Sequence, residues 1–266
     1  MVAYINQGRE ARLRDEIIRV CRLVYAKGFV AATDGNVSAR LDADHILATP
    51  SGFSKGFIEA GELIVVDMDG RPIDDYRHRG AKGLTVTSEI LLHLEVYRQR
   101  PDAGAVVHAH PPKTVALSIA GIPIARCLLP EVLVTLGDIP VTDYATPASA
   151  EGPLAIRPYI ADHDALVLQR HGSVTLGHDP FEAYLKLEKV EHAAEITLIL
   201  RQLGVDAPIP PAEAARLLDV RRQKGLPVGE ELVGVCHGCG ACGRKAPADA
   251  DEVTRRVTER VLAALR

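Results

Sequence analysis

The chain reads as an α/β protein built on a central, mainly antiparallel β-sheet flanked by helices. Three observations predict this. Helix-period and strand-period segments interleave along the chain, they lack the regular βαβ repeat of a parallel sheet, and the strand-like runs are short and broken by glycine and proline. With 266 residues, 47% of them apolar, the chain can bury a substantial core as an enzyme-sized unit. Its formal net charge of −4 gives no electrostatic ground for a nucleic-acid partner. No stretch reaches the ~20 apolar residues of a membrane span, and Met1 to Arg12 lacks the apolar core of a secretory signal. A cytoplasmic protein is expected.

In chain order, Leu13, Ile17, Cys21 and Val24 recur at helical spacing, so a helix spans Arg9 to Lys27 and ends at Gly28. Asn36 to Leu41, Ile46 to Thr49 and Leu63 to Asp67 read as strands joined by tight turns. Thr87-Ser88-Glu89 places hydroxyl caps before Ile90, Leu91, Leu94 and Tyr97, predicting a second helix that stops near Pro101. Ala105 to His108 is a buried strand, and Thr114 to Ala120 is a short helix after two prolines. Strand and turn signals alternate from Val132 to Val141, and Pro153 to Tyr159 extends another helix. Ala165 to Leu168 is apolar and breaks at Gln169-Arg170-His171-Gly172. Asp179-Pro180 supplies an N-cap and a first-turn proline to a long helix that ends near Gly204.

Past Gly225 the composition changes. Residues 1–225 read as one globular domain, 226–250 as a cysteine-containing linker, and 251–266 as a tethered amphipathic helix with Val253, Val257, Val261, Leu262 and Leu265 on one side. Cys236, Cys239 and Cys242 stand at CxxCxxC spacing, which in a reducing compartment suggests a second metal or a redox cluster rather than disulfides.

The sharpest chemical signal is Val106-Val107-His108-Ala109-His110. Side chains two apart on a strand share one face about 7 Å apart, so both imidazoles can reach one ion. His171 is the candidate third ligand, and three neutral imidazoles with an open position make a catalytic zinc site. His93, four residues after Glu89 on the same helix face, reads as structural because the site already has three histidines.

Four blocks now line up: Asp34-Gly-Asn36-Val-Ser-Ala-Arg40, Thr49-Pro-Ser51-Gly52, Thr87-Ser88-Glu89, and His108-Ala-His110 with His171-Gly172. Together they resemble the class II aldolase/adducin family over roughly Arg9 to Gly204. The resemblance implies a three-layer α/β sandwich, a homotetramer with active sites between subunits, and one Zn2+ per subunit on His108, His110 and His171. It implies that Glu89 binds the resting metal and then acts as general acid/base, while Asn36, Ser51, Gly52, Thr87 and Ser88 cradle a substrate phosphate. The residue chemistry agrees. A divalent ion stabilises the enediolate of a retro-aldol cleavage, a positioned carboxylate moves the proton at carbon, and hydroxyls and amides at a helix start suit a phosphate dianion.

The implied activity is that of a class II, metal-dependent aldehyde-lyase acting on a ketose 1-phosphate resembling L-fuculose 1-phosphate, with dihydroxyacetone phosphate and an aldehyde such as lactaldehyde as products. Pentulose-5-phosphate 4-epimerases and sugar-acid phosphate decarboxylases of the same family are the alternatives. Non-catalytic adducin-like modules, which lack the metal histidines, are the alternative of another class. The fuculose-phosphate aldolases carry a tyrosine near the position of Cys127. Glu131 instead falls near the epimerases' acidic residue, which implies an acid supplied by a partner subunit. The epimerases have aspartate where this chain has Glu89, and the longer side chain favours aldol chemistry. Residues 251–266 resemble the encapsulation peptides that recruit enzymes to bacterial microcompartments, implying a shell or core protein as partner.

Overall fold

The computed structural model describes residues 2–73, 81–124, 127–205, 207–226 and 228. The cysteine cluster and the C-terminal helix predicted from sequence lie outside them. The order of elements is α1 (Val2–Ala26), β1 (Asn36–Arg40), β2 (His45–Ala48), β3 (Ile64–Asp67), α2 (Ile90–Gln99), β4 (Ala105–Ala109), α3 (Pro112–Ile119), α4 (Pro130–Thr135), α5 (Glu151–Ile160), β5 (Ala165–Leu168), β6 (Gly172–Gly177), α6 (Pro180–Leu203) and α7 (Pro211–Gln223). Contacts divide the chain into two units. One comprises Met1–Ile124 with Leu136–Asp206, the other Ala125–Thr135 with Ala207–Arg266.

The first unit holds a six-stranded sheet in the order β3-β2-β1-β4-β6-β5, with every neighbouring pair antiparallel. Strand alternation divides its side chains between two apolar layers. Val37, Ala39, Val107 and Ala109 pack with Ile17, Cys21 and Val24 of α1 and with Ala183 and Leu187 of α6. Val106, Leu166, Leu168 and Val174 pack on the other face with Leu94 and Tyr97 of α2 and Ile156 and Ile160 of α5. The result is a helix, sheet, helix sandwich. Asp179 caps α6 by accepting from the Glu182 amide at 2.7 Å, and Gly204 ends that helix in the left-handed region with φ 67°. Among the described residues, no helix is long and apolar enough to cross a membrane.

Residues 132–141, which straddle the boundary between the units in sequence, depart from the expectation. Pro130 opens a helix through Thr135, despite the β-branched Val132 and Val134. Leu133 is buried there with Cys127, Ala214 and Leu218, so tertiary burial outweighs local strand preference. Downstream, Val141 makes only an isolated parallel bridge to Val167 within the first unit.

Candidate metal centre and catalytic carboxylate

Antiparallel register brings the three histidines to one end of the sheet. His108 is opposite Asn36 on β1 and opposite Val174 on β6, and its side chain is fully buried. His110 follows the last residue of β4, its backbone N–H donating to the Phe29 carbonyl at 2.8 Å. His171 comes from the short turn joining β5 to β6, after Arg170 in the left-handed region at φ 61°. The three ring centroids stand 4.9, 4.7 and 4.8 Å apart, nearly an equilateral triangle. Glu89 occupies the N-cap position of α2 but makes no side-chain cap bond. Its Oε2 lies 3.1 Å from His108 Nε2 and its Oε1 lies 3.4 Å from His171 Nε2. One ligand atom from each of these four residues falls within 4.8 Å of the others.

The donor set fits a divalent ion such as zinc. His108 Nδ1 is 3.0 Å from the Ser173 carbonyl, which can only accept, so Nδ1 carries hydrogen and Nε2 is the nitrogen left to face a metal once it gives up its proton. His110 Nδ1 stands 3.4 Å from an Asp34 carboxylate oxygen. The Nε2 atoms of His108 and His110 are 3.0 Å apart. Two lone pairs that close repel unless a proton or a metal cation lies between them. Burial and the His108 charge push His110 and His171 down to about 4, so both are neutral at pH 7, as metal ligands must be. Burial alone would lower His108 too, but Glu89 reverses the direction and raises it. For Glu89 burial opposes ionisation. The His108 charge and hydrogen bond, the His171 charge at the low pH where that ring is protonated, and the Asn36 hydrogen bond overcome it and hold the carboxyl below the usual carboxylate range.

Around this cluster, the Asn36 amide donates to Glu89 Oε2 at 3.0 Å. Thr87 is buried, and its Oγ1 accepts from the Glu89 amide at 3.3 Å. Ser51 and Gly52 form an exposed turn, tied by the Ser51 amide to the Thr85 carbonyl at 2.9 Å, with Gly52 at φ 79°. Ser88 lines an open cleft together with Glu89 and His171, and Thr142, Thr146 and Ser149 also form part of its wall. Sequence reasoning missed that wall. Its signal was the turn-rich Thr146-Pro147-Ala148-Ser149, which contains no obvious catalytic group. His93 is buried and contributes no atom to the four-residue cluster. Glu131 lies in the first turn of α4 in the second unit, and Cys127 is buried in that unit's core.

Residues 15–198 match the class II aldolase and adducin N-terminal domain, and the chain belongs to this family. It is 35% identical to the L-fuculose phosphate aldolase of Methanococcus maripaludis over 188 residues, 71% of this chain and 97% of that one. It is 30% identical to the 3-oxo-tetronate 4-phosphate decarboxylase of Escherichia coli over 216 residues, 80% of this chain and 96% of that one. Among solved structures, the L-fuculose-1-phosphate aldolase from Thermus thermophilus matches with a TM-score of 0.64 and 30% identity, covering 75% of this chain and 99% of that one. An enzyme of the family follows, with aldolases and decarboxylases among its relatives.

Proposed function

We propose that this chain is a zinc-dependent aldolase that cleaves a ketose 1-phosphate of the L-fuculose 1-phosphate type into dihydroxyacetone phosphate and an aldehyde such as lactaldehyde. The observation that carries the reading is the convergence of His108, His110 and His171 with the ionised Glu89. His108, His110 and His171 would hold the zinc, which when bound would supply Lewis acidity for the negative charge that develops as the carbon–carbon bond breaks. Glu89, ionised in the resting site, takes up the proton that the hydroxyl loses as it becomes the aldehyde carbonyl and returns it to the carbon that this cleavage leaves electron-rich. Asn36, Ser51, Gly52, Thr87 and Ser88 bind the phosphate, and the cleft position of Ser88 beside Glu89 supports that role. Glu131 of a neighbouring subunit serves as acid in a homotetramer. Replacing Glu131 by Gln lowers kcat about 10- to 100-fold with zinc content intact, and unchanged turnover excludes that role.

The test is to incubate the zinc-loaded protein with L-fuculose 1-phosphate, L-rhamnulose 1-phosphate and L-ribulose 5-phosphate and to assay dihydroxyacetone phosphate. Release from none of them removes the aldolase reading. Decarboxylation is the second reading, favoured by the longer match to the Escherichia coli decarboxylase. It uses the same electron sink, because loss of CO2 from a 3-oxo acid also leaves charge beside a carbonyl. CO2 release from 3-oxo-tetronate 4-phosphate, with no dihydroxyacetone phosphate from the ketoses, selects it. Residues 251–266 recruit the enzyme to a microcompartment: their deletion leaves activity intact and abolishes recruitment, whereas lost stability points to packing on the tetramer. Zinc content of a truncation ending at Gly234 beside the full chain decides whether Cys236, Cys239 and Cys242 bind a second ion.

A further inference from the structure

Strand β1 and helix α2 face each other with matched rows of polar side chains. Asn36 and Ser38 alternate onto one face of β1, while Glu89, His93 and Tyr97 recur every four residues along α2 and the position before it. Two residues of strand advance about 6.7 Å and four residues of helix about 6 Å, so the rows stay in step. The contacts are continuous. Asn36 Nδ2 donates to Glu89 Oε2 at 3.0 Å, Asn36 Oδ1 lies 2.5 Å from His93 Nε2, His93 Nδ1 lies 2.6 Å from Ser38 Oγ, and Ser38 Oγ lies 2.8 Å from the Tyr97 hydroxyl. Every member of this chain is buried except Glu89, which is partly exposed toward the cleft.

The polarity of the chain follows link by link. An ionised carboxylate only accepts, so the Asn36 NH2 faces Glu89 and the Asn36 carbonyl faces His93. A carbonyl also only accepts, so His93 carries its hydrogen on Nε2. A neutral imidazole with that hydrogen presents Nδ1 as an acceptor, so Ser38 donates to it and Tyr97 donates to Ser38. Burial and the His108 charge push His93 down to about 3, which keeps the ring neutral and lets it hold a single tautomer.

We infer that His93 is a positioning residue: by donating from Nε2 to the Asn36 carbonyl it fixes the orientation of that amide, and the amide in turn holds the Glu89 carboxylate against the three histidines. Without the His93 donor, the Asn36 amide can turn over and set its carbonyl against the carboxylate, replacing an attraction by a repulsion. The kinetic consequence rests on the proposed role of Glu89 as proton carrier; the polarity of the chain does not.

Two measurements on the full-length, zinc-loaded protein test the inference. A neutron crystal structure is expected to place deuterium on His93 Nε2 and none on Nδ1, with the Asn36 ND2 group facing Glu89. Deuterium on Nδ1, or a turned amide, overturns the inference whatever the reaction proves to be. Kinetically, His93→Phe is expected to lower kcat for L-fuculose 1-phosphate cleavage about 10- to 100-fold, the usual scale for a partner one shell from the chemistry. His93→Gln, whose amide reproduces the donor at Nε2, is expected to recover most of that loss at unchanged zinc content. Equal losses in the two folded variants overturn the inference. A wild-type enzyme inactive on the sugar phosphates but bearing the Nε2 deuterium overturns the aldolase reading and leaves the positioning role standing.

Discussion

Gly172 shapes the centre by having no side chain. A Cβ at that position would lie 2.4 Å from the Ala109 carbonyl oxygen, 2.7 Å from His110 Cδ2 and 3.0 Å from His108 Cε1. None of these atoms is a flexible tip, since the carbonyl belongs to the paired strand β4 and the rings belong to the histidine triangle. Gly172→Ala must therefore spread the imidazoles or open the pairing of β4 with β6. We expect at least about a tenfold loss of zinc affinity, on the scale of other changes next to metal ligands, measured by titration against a competing chelator. Affinity equal to the parent would show that β6 shifts without disturbing the rings. The grouping of His108 with His110 was legible because strand periodicity alone puts them on one side, and His171 was a candidate because it stands where the apolar run Ala165 to Leu168 breaks; the close approach at Gly172 was not legible. Glu89 was less legible. A carboxylate ahead of a helix reads first as a cap, and only the combined motif pointed to its turn away from the helix and into the histidines. That Asn36 meets His93 was hidden, because their contact spans 57 positions and no local pattern connects them.

Helix α3 starts directly after the His110 strand and needs a cap that its own sequence cannot give. Pro111 and Pro112 have no amide hydrogen, and the first free amides, those of Lys113 and Thr114, donate to the Glu191 carboxylate on α6 at 3.0 and 2.9 Å. The Thr114 hydroxyl donates to the same group at 2.8 Å, and Glu191 is only 3% exposed. Glu191→Ala strips partners from buried donors at a cost of about 1–3 kcal/mol, so Tm should fall by several degrees in a thermal melt. A shift under about one degree would mean that water replaces the carboxylate and that the contact is not structural. At this scale the sequence was readable wherever a cap or a glycine stop marked an end, as with Asp179 and Gly204 around α6. It failed at α4, where valines favoured a strand in isolation and burial in the second unit made a helix. It also assigned no element to α7, whose buried residues Ala214 and Leu218 make too short a stripe in a mostly polar segment.

The antiparallel character of the whole sheet was legible from what the sequence lacks, the regular alternation of strand and helix that parallel crossovers need. Its order was not, because the central pairings of β1 with β4 and β4 with β6 join segments far apart in the chain. One partly buried charge ties these distant layers together. Asp164, at the entrance to β5, accepts from Arg100 at the end of α2 at 2.9 Å and from Lys186 on α6 at 2.8 Å, so it links helices on opposite faces of the sheet. Burial raises the Asp164 pKa, but Lys186 and Arg100 outweigh it and hold it below its ordinary value. A carboxyl depressed in the folded state contributes stability that is fully present above its unfolded pKa, about 3.9, and is lost as pH falls through the folded value. Urea unfolding should therefore find Asp164→Asn less stable than the parent at pH 7, with the gap closing as pH drops below about 4. Arg100 also pairs with Asp102 and Lys186 with Glu182, at 2.8 and 3.0 Å, and the substitution removes neither carboxylate, so to first order those titrations cancel in the difference. A gap of constant size from pH 7 to pH 3 would locate the loss in packing around the asparagine and remove the electrostatic tie between the layers.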